Sequence, residues 1–162
     1  MVNLMKKILF LLLLLFIFPL SVFSYDFNIN SNNVILINLN EDKILYEKNS
    51  DSKTYIASLT KIMTAVVALE NIDDLNTKVL LTTEDFKDIY KYDLQKSGLR
   101  VNNSYTYEEL LYALLLPSGA DAASCLARNI GGSVSNFVKM MNDWVKKVGC
   151  TDTNFTNPSG LH

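Results

Sequence analysis

The chain has 162 residues, enough for one modest domain, and a net charge of −2 with acidic and basic residues interspersed. That balance leaves no basic face for nucleic acid, so a nucleic-acid partner is excluded. The single histidine, His162, is the last residue, and a serine–histidine–acid triad therefore has little to work with.

Residues 1–24 read as a signal peptide. Lys6 and Lys7 form a positive start, and Ile8 to Leu20 is an apolar run of 13 residues that fits a leader better than a membrane-spanning helix. Ser24 offers a small residue for cleavage before Tyr25, and no cysteine lies there to carry a lipid. Cleaved or retained as a membrane anchor, such a leader exports the remainder, so an extracytoplasmic location is expected and membrane association stays open. Residues 25–33 are polar and Asn-rich, as in a linker.

Val34 to Leu39 and Ile44 to Lys48 read as two strands around the turn Asn40-Glu41-Asp42-Lys43. From Ile56 to about Asn71 the pattern is a helix that begins at Ser58 and turns apolar almost at once. Residues three apart on a helix share a face, so the Ser58 hydroxyl and the Lys61 amine can meet. The first turn favours developing negative charge. Apolar residues beyond Lys61 would desolvate its ammonium and lower its pKa, making a lysine available as a general base. The same spacing at Ser50 and Lys53 lies in a polar run and predicts only a surface loop.

Lys78 to Leu81 is a short extended piece, and a helix is expected from Thr82 or Thr83 to about Tyr90. Thr106 and Glu109 fit a capping box ahead of an apolar helix, Leu110 to Leu116, which Pro117 ends. Ser118 to Asp121 forms a turn into a helix from Ala122 to Ile130, closed by Gly131 and Gly132. A further helix runs from about Ser135 to Val148 and stops at Gly149. The tail, Thr151 to His162, is loop-like, with a turn at Asn157-Pro158-Ser159-Gly160. Cys125 and Cys150 are the only cysteines; export permits a disulfide, while the apolar setting of Cys125 equally suits a buried thiol. No cysteine–histidine cluster is present to hold a metal, and no cofactor is expected.

Three separated stretches carry a resemblance. They are Ala57-Ser58-Leu59-Thr60-Lys61, Pro117-Ser118-Gly119-Ala120-Asp121-Ala122-Ala123, and Asn154 to Leu161. In that order they resemble the motifs of the serine-type D-Ala-D-Ala carboxypeptidases, the low-molecular-mass penicillin-binding proteins. The resemblance implies an α/β (α+β) fold of the β-lactamase/transpeptidase type over residues 34–162, with the N-terminal hairpin and the helical subdomain present and later strands missing. It implies Ser58 as nucleophile, Lys61 as base and Ser118 as proton relay. The implied substrate is the peptidoglycan stem peptide, with β-lactams as covalent inhibitors. Two features depart from the pattern. Ala120 stands where the family usually has asparagine, and the Lys-Thr-Gly-like third motif is absent; Lys96-Ser97-Gly98 precedes Ser118 and reads as a simple turn. The chain therefore reads as the N-terminal part of a longer enzyme, expected to be poorly stable and inactive alone. Two other readings stay open: a β-lactamase of the same fold, for which no Glu-x-x-Leu-Asn-like segment follows Ser118, and a non-catalytic wall-binding remnant.

Overall fold

The computed structural model describes residues 28–162, and the leader expected over residues 1–24 lies outside them. The chain divides into two compact units, with the boundary between Ser52 and Lys53.

The first unit carries the predicted hairpin. Strands β1 (Val34–Asn38) and β2 (Lys43–Lys48) pair antiparallel, with Val34 opposite Lys48 and Asn38 opposite Lys43. The register shifts between Leu36 and Ile37, where an irregularity interrupts the ladder. The turn is built by Asp42 in the left-handed region and by the Asn38 side chain, which accepts the Asn40 N–H at 3.0 Å. Ser50 of the decoy spacing donates to Glu47 of its own hairpin at 3.0 Å, and Lys53 is exposed.

The second unit is mostly helical. Its helices are α1 (Thr60–Asn71), α2 (Lys87–Tyr92), α3 (Tyr107–Leu115), α4 (Ala120–Gly131) and α5 (Val134–Lys147). Short 3₁₀ turns at Ala57–Leu59 and Thr83–Phe86 precede the first two. The capping box read from the sequence closes α3: Thr106 accepts the Glu109 N–H at 3.1 Å, and Glu109 accepts the Thr106 N–H at 2.8 Å. Gly132 ends α4 and Gly149 follows α5, both at positive φ.

The extended piece read from the sequence at Lys78 is β3 (Lys78–Leu80), which forms a second antiparallel pair with β4 (Ser104–Thr106). Three residues are too few to show alternation, so β4 was invisible as a strand. The cysteines also resolve: both are free, Cys125 buried and Cys150 exposed. Burial pushes the Cys125 thiol up to about 12.

Helix α4 is the centre of this unit. Ala120, Ala122, Ala123 and Ala127 are all buried, and their small side chains let neighbouring helices approach closely. On one side they meet a cluster that includes Ala65, Ala68, Leu81, Phe86, Ile89, Leu110, Leu114 and Leu126. A second cluster joins Val67 and Ala127 to Phe137, Met141, Val145 and Phe155. Helix α1 contributes to both, so the residues around Lys61 are anchored from two directions.

A buried ion pair locks the 3₁₀ turn onto α4. Arg128 Nε and Nη2 donate to the two Asp85 oxygens at 2.9 and 2.8 Å, and Nη2 also reaches the Leu80 carbonyl at 2.9 Å. The Asp85 side chain is 1% exposed and also accepts the Thr82 N–H and hydroxyl. Removing the guanidinium would strand a buried carboxylate, which costs about 3 kcal/mol. Arg128→Met is therefore expected to lose stability on that scale in urea unfolding. A wild-type midpoint and slope would show that the pair contributes nothing.

Candidate active site

The serine lies where the chain enters α1. Ala57, immediately before it, has φ of 46°, a left-handed conformation that a residue with a Cβ adopts only at a cost of about 1–3 kcal/mol. That backbone places Ser58 in the 3₁₀ turn and α1 begins two residues later. One turn on, Lys61 Nζ is 3.2 Å from Ser58 Oγ, as the spacing predicts.

Ser58 itself is exposed, whereas Lys61 is only 5% exposed. Burial holds the Lys61 amine below its ordinary pKa of 10.5, because desolvation penalises the ammonium. The protonated amine donates to Ser58 Oγ. The neutral amine offers its lone pair to the Ser58 hydroxyl over the same distance, which is the geometry for proton removal.

The second acceptor for Lys61 comes from the far end of the chain. Nζ donates to the Ser159 carbonyl at 2.7 Å, and one helical turn later Thr64 Oγ1 donates to the Pro158 carbonyl at 2.7 Å. Helix α5 supports the same tail. Asn142 accepts the Phe155 N–H and donates to the Phe155 carbonyl, both at 2.8 Å. Gly160 then passes directly over the turn that holds Ser58. A Cβ at Gly160 would lie 1.9 Å from the Ala57 carbonyl oxygen, and its φ is +87°.

Ser118 occupies the turn between α3 and α4, half-buried, with φ of 63°. It lines an open groove together with Ser58, Leu59, Lys61, Ile62, Leu114 and Leu115. Among the described residues its hydroxyl has no hydrogen-bond partner, so the structure brings it to the groove without a hydrogen bond to Lys61. The shelf beneath it is tightly built. Gly119 N–H bonds the Ala113 carbonyl at 3.0 Å, and Ala120 N–H bonds the Gln95 carbonyl at 2.9 Å. A Cβ at Gly119 would lie 2.5 Å from Ser97 Cβ and 2.7 Å from the Ala113 carbonyl, which accounts for glycine there.

Ala120, whose side chain is only a methyl, lines a second cavity together with Ser58, Lys61 and Gln95. Lys96-Ser97-Gly98 is more than a free polar turn. Ser97 donates its N–H at 2.8 Å and its hydroxyl to the fully buried Asp121 carboxylate, tying this loop to the start of α4.

A serine hydroxyl set against a buried lysine of lowered pKa at a helix entrance is an arrangement whose chemistry suits acyl transfer. Comparison with known proteins narrows the class. Residues 21–162 match the peptidase S11 family, D-alanyl-D-alanine carboxypeptidase, and the chain belongs to that family. It is similar to the D-alanyl-D-alanine carboxypeptidase DacF of Bacillus subtilis, 34% identical over 127 residues, covering 78% of this chain and 33% of that protein. The similarity to DacA of Haemophilus influenzae is 37% over 130 residues, with the same coverage of 78% and 33%. Among solved structures, the Streptomyces K15 DD-transpeptidase superposes with a TM-score of 0.79 at 29% identity, covering 85% of this chain and 55% of that one. Penicillin binding protein 5 of H. influenzae gives 0.76 at 32% identity, covering 85% and 41%. The chain thus spans about a third of the length of these two curated relatives, and the mixed α/β fold read from the sequence is that of the structural neighbours.

The sequence points to Ser58, Lys61 and Ser118 as candidates, and it shows Asn157 to Gly160 only as a turn and a family signature. The Lys61–Ser159 contact spans 98 positions, and nothing local announces it. Gly160 can be tested directly. Gly160→Ala forces a side chain against main-chain atoms that no rotamer change can clear, at a cost on the order of 3 kcal/mol. A markedly lowered thermal midpoint is expected, and an unchanged melt would mean that the tail does not hold this position.

Proposed function

We propose that this chain carries the nucleophile and base of an exported serine-type D-Ala-D-Ala carboxypeptidase that trims peptidoglycan stem peptides. The observation that supports it most is the Ser58–Lys61 pair, 3.2 Å apart, with the lysine buried and its pKa lowered. Family membership supplies the substrate class. The leader-like residues 1–24 support export, which places the protein at the cell wall or on the outer face of the membrane.

In this reading Ser58 Oγ attacks the carbonyl carbon of the penultimate D-alanine while Lys61 Nζ takes the hydroxyl proton. The backbone N–H of Ser58 contributes to stabilising the oxyanion. Collapse of the tetrahedral intermediate breaks the peptide C–N bond. Ser118 passes the proton to the departing amine, and D-alanine leaves with an ester on Ser58. Water then hydrolyses that ester and restores the serine. A β-lactam enters by the same attack, its ring amide taking the place of the peptide bond, so β-lactams are covalent inhibitors in this scheme.

Peptide mapping after treatment with fluorescent penicillin tests the assignment. The adduct is expected on Ser58, and an adduct on Ser50 or Ser118 would overturn it. Lys61→Arg keeps a positive charge but cannot deprotonate in this range. Acylation of that variant should slow at least ~100-fold, the scale of lost general-base assistance. A near-normal rate would remove Lys61 from the mechanism.

A further inference from the structure

The tail turn beside Lys61 is organised by one side chain. Asn157 Oδ1 accepts hydrogen bonds from Ser159 N–H at 3.1 Å, Ser159 Oγ at 3.2 Å, Gly160 N–H at 2.7 Å and Leu161 N–H at 3.0 Å. Its Nδ2 donates to Thr156 Oγ1 and to the Leu161 carbonyl, so the amide bridges both sides of the turn. Gathering successive N–H groups onto one oxygen aims the intervening carbonyls outward. Two of them, from Pro158 and Ser159, point at α1 and accept from Thr64 and Lys61.

Lys61 needs that carbonyl. A lysine has four rotatable side-chain bonds, and its entropy opposes confinement to one geometry. Among the described residues, Nζ has two hydrogen-bond partners, the Ser58 hydroxyl and the Ser159 carbonyl. Ser58 is the group whose proton Lys61 takes, and it cannot also serve as the fixed anchor. Ala120, whose methyl faces the same cavity, has no polar side chain to offer. The Ser159 carbonyl is the remaining fixed point, and its place depends on Asn157.

We propose that Asn157 is a positioning residue for this reaction: its side-chain oxygen folds the 157–161 turn so that the Ser159 carbonyl holds the Lys61 amine against Ser58. The role of Lys61 as base rests on the function proposed above; the positioning of Lys61 by Asn157 does not. Asn157 has no hydrogen bond to Ser58 or Lys61, and it acts through the 157–161 turn that it holds together.

The test uses the whole chain labelled with ¹³C and ¹⁵N in lysine. Held by two partners, Lys61 should show two resolved Hε signals in the wild type. Asn157→Ala should merge them into the averaged signal of a mobile lysine and slow penicillin acylation of Ser58 on the order of tenfold to a hundredfold, the scale of a misplaced reacting group. Asn157→Asp retains an acceptor oxygen at the same place and should keep the resolved pair. A merely structural asparagine would lower the melting midpoint of Asn157→Ala while leaving the Lys61 signals of the folded fraction as in the wild type, and that result would overturn the proposal. If Asn157→Ala does not fold, Asn157→Asp decides: resolved Lys61 signals support the proposal and averaged ones overturn it. The resonance arm reads Lys61 whether or not Ser58 is acylated, so failure of the positioning role and failure of the carboxypeptidase reading give different results.

Discussion

A buried lysine amine in contact with a distant main-chain carbonyl is the constraint on which the rest of the site depends. Lys61 is 5% exposed, and taking an ammonium out of water is costly unless the charge is compensated or surrendered. No carboxylate stands among its hydrogen-bond partners, which are the Ser58 hydroxyl and the Ser159 carbonyl. Both suit an uncharged amine as well as an ammonium. The ammonium donates to both oxygens, whereas the uncharged amine would give one N–H to the carbonyl and turn its lone pair to the hydroxyl. Desolvation without a countercharge is what separates this lysine from the surface lysines of the chain, and it lowers the pKa of the amine that faces the Ser58 hydroxyl.

That arrangement explains the strain nearby. Ala57 and Ser118 both hold positive φ, and each flanks or carries a residue that lines the groove. Such conformations persist only where surrounding contacts over-determine them. At Ala57 the constraint comes from the tail, where Gly160 lies against the Ala57 carbonyl so closely that only glycine fits. At Ser118 it comes from the shelf of main-chain bonds to Ala113 and Gln95 and from the grip of Asp121 on Ser97. The hydroxyl of Ser118 has no hydrogen-bond partner among the described residues and is half-buried at the edge of the groove.

Much of this was legible in the sequence because it is local. The capping box at Thr106 and Glu109, the glycine stops at Gly132 and Gly149, and the one-turn spacing of Ser58 and Lys61 are short-range patterns with a single physical reading. The apolar run after Lys61 announced its burial for the same reason. Elements defined by long-range contacts were not legible. Strand β4 is three residues of Ser, Tyr and Thr whose only mark is its pairing with β3. Arg128 meets Asp85 across 43 positions, and neither residue is distinguishable from a surface charge in the sequence. Asn157 looked like an ordinary turn former, since Asn-Pro-Ser-Gly has that composition anywhere. Its second role appears only once the tail is laid against α1.

The pH dependence follows from the sign of the Lys61 shift. An amine whose folded pKa lies below 10.5 releases its proton in the native state before it does so in the unfolded chain. Between the two values the unfolded chain binds more protons, so stability rises with pH through that window. Neutral Lys61, the form that the proposed base role requires, accumulates over the same range. The most direct measurement is the titration of the Lys61 ¹³Cε resonance in the intact chain. The account predicts a midpoint below 10.5 and below that of the exposed lysines. A midpoint at or above 10.5 would show that Lys61 keeps its charge in the folded protein, and the serine–lysine centre described here would not function as a nucleophile and its base.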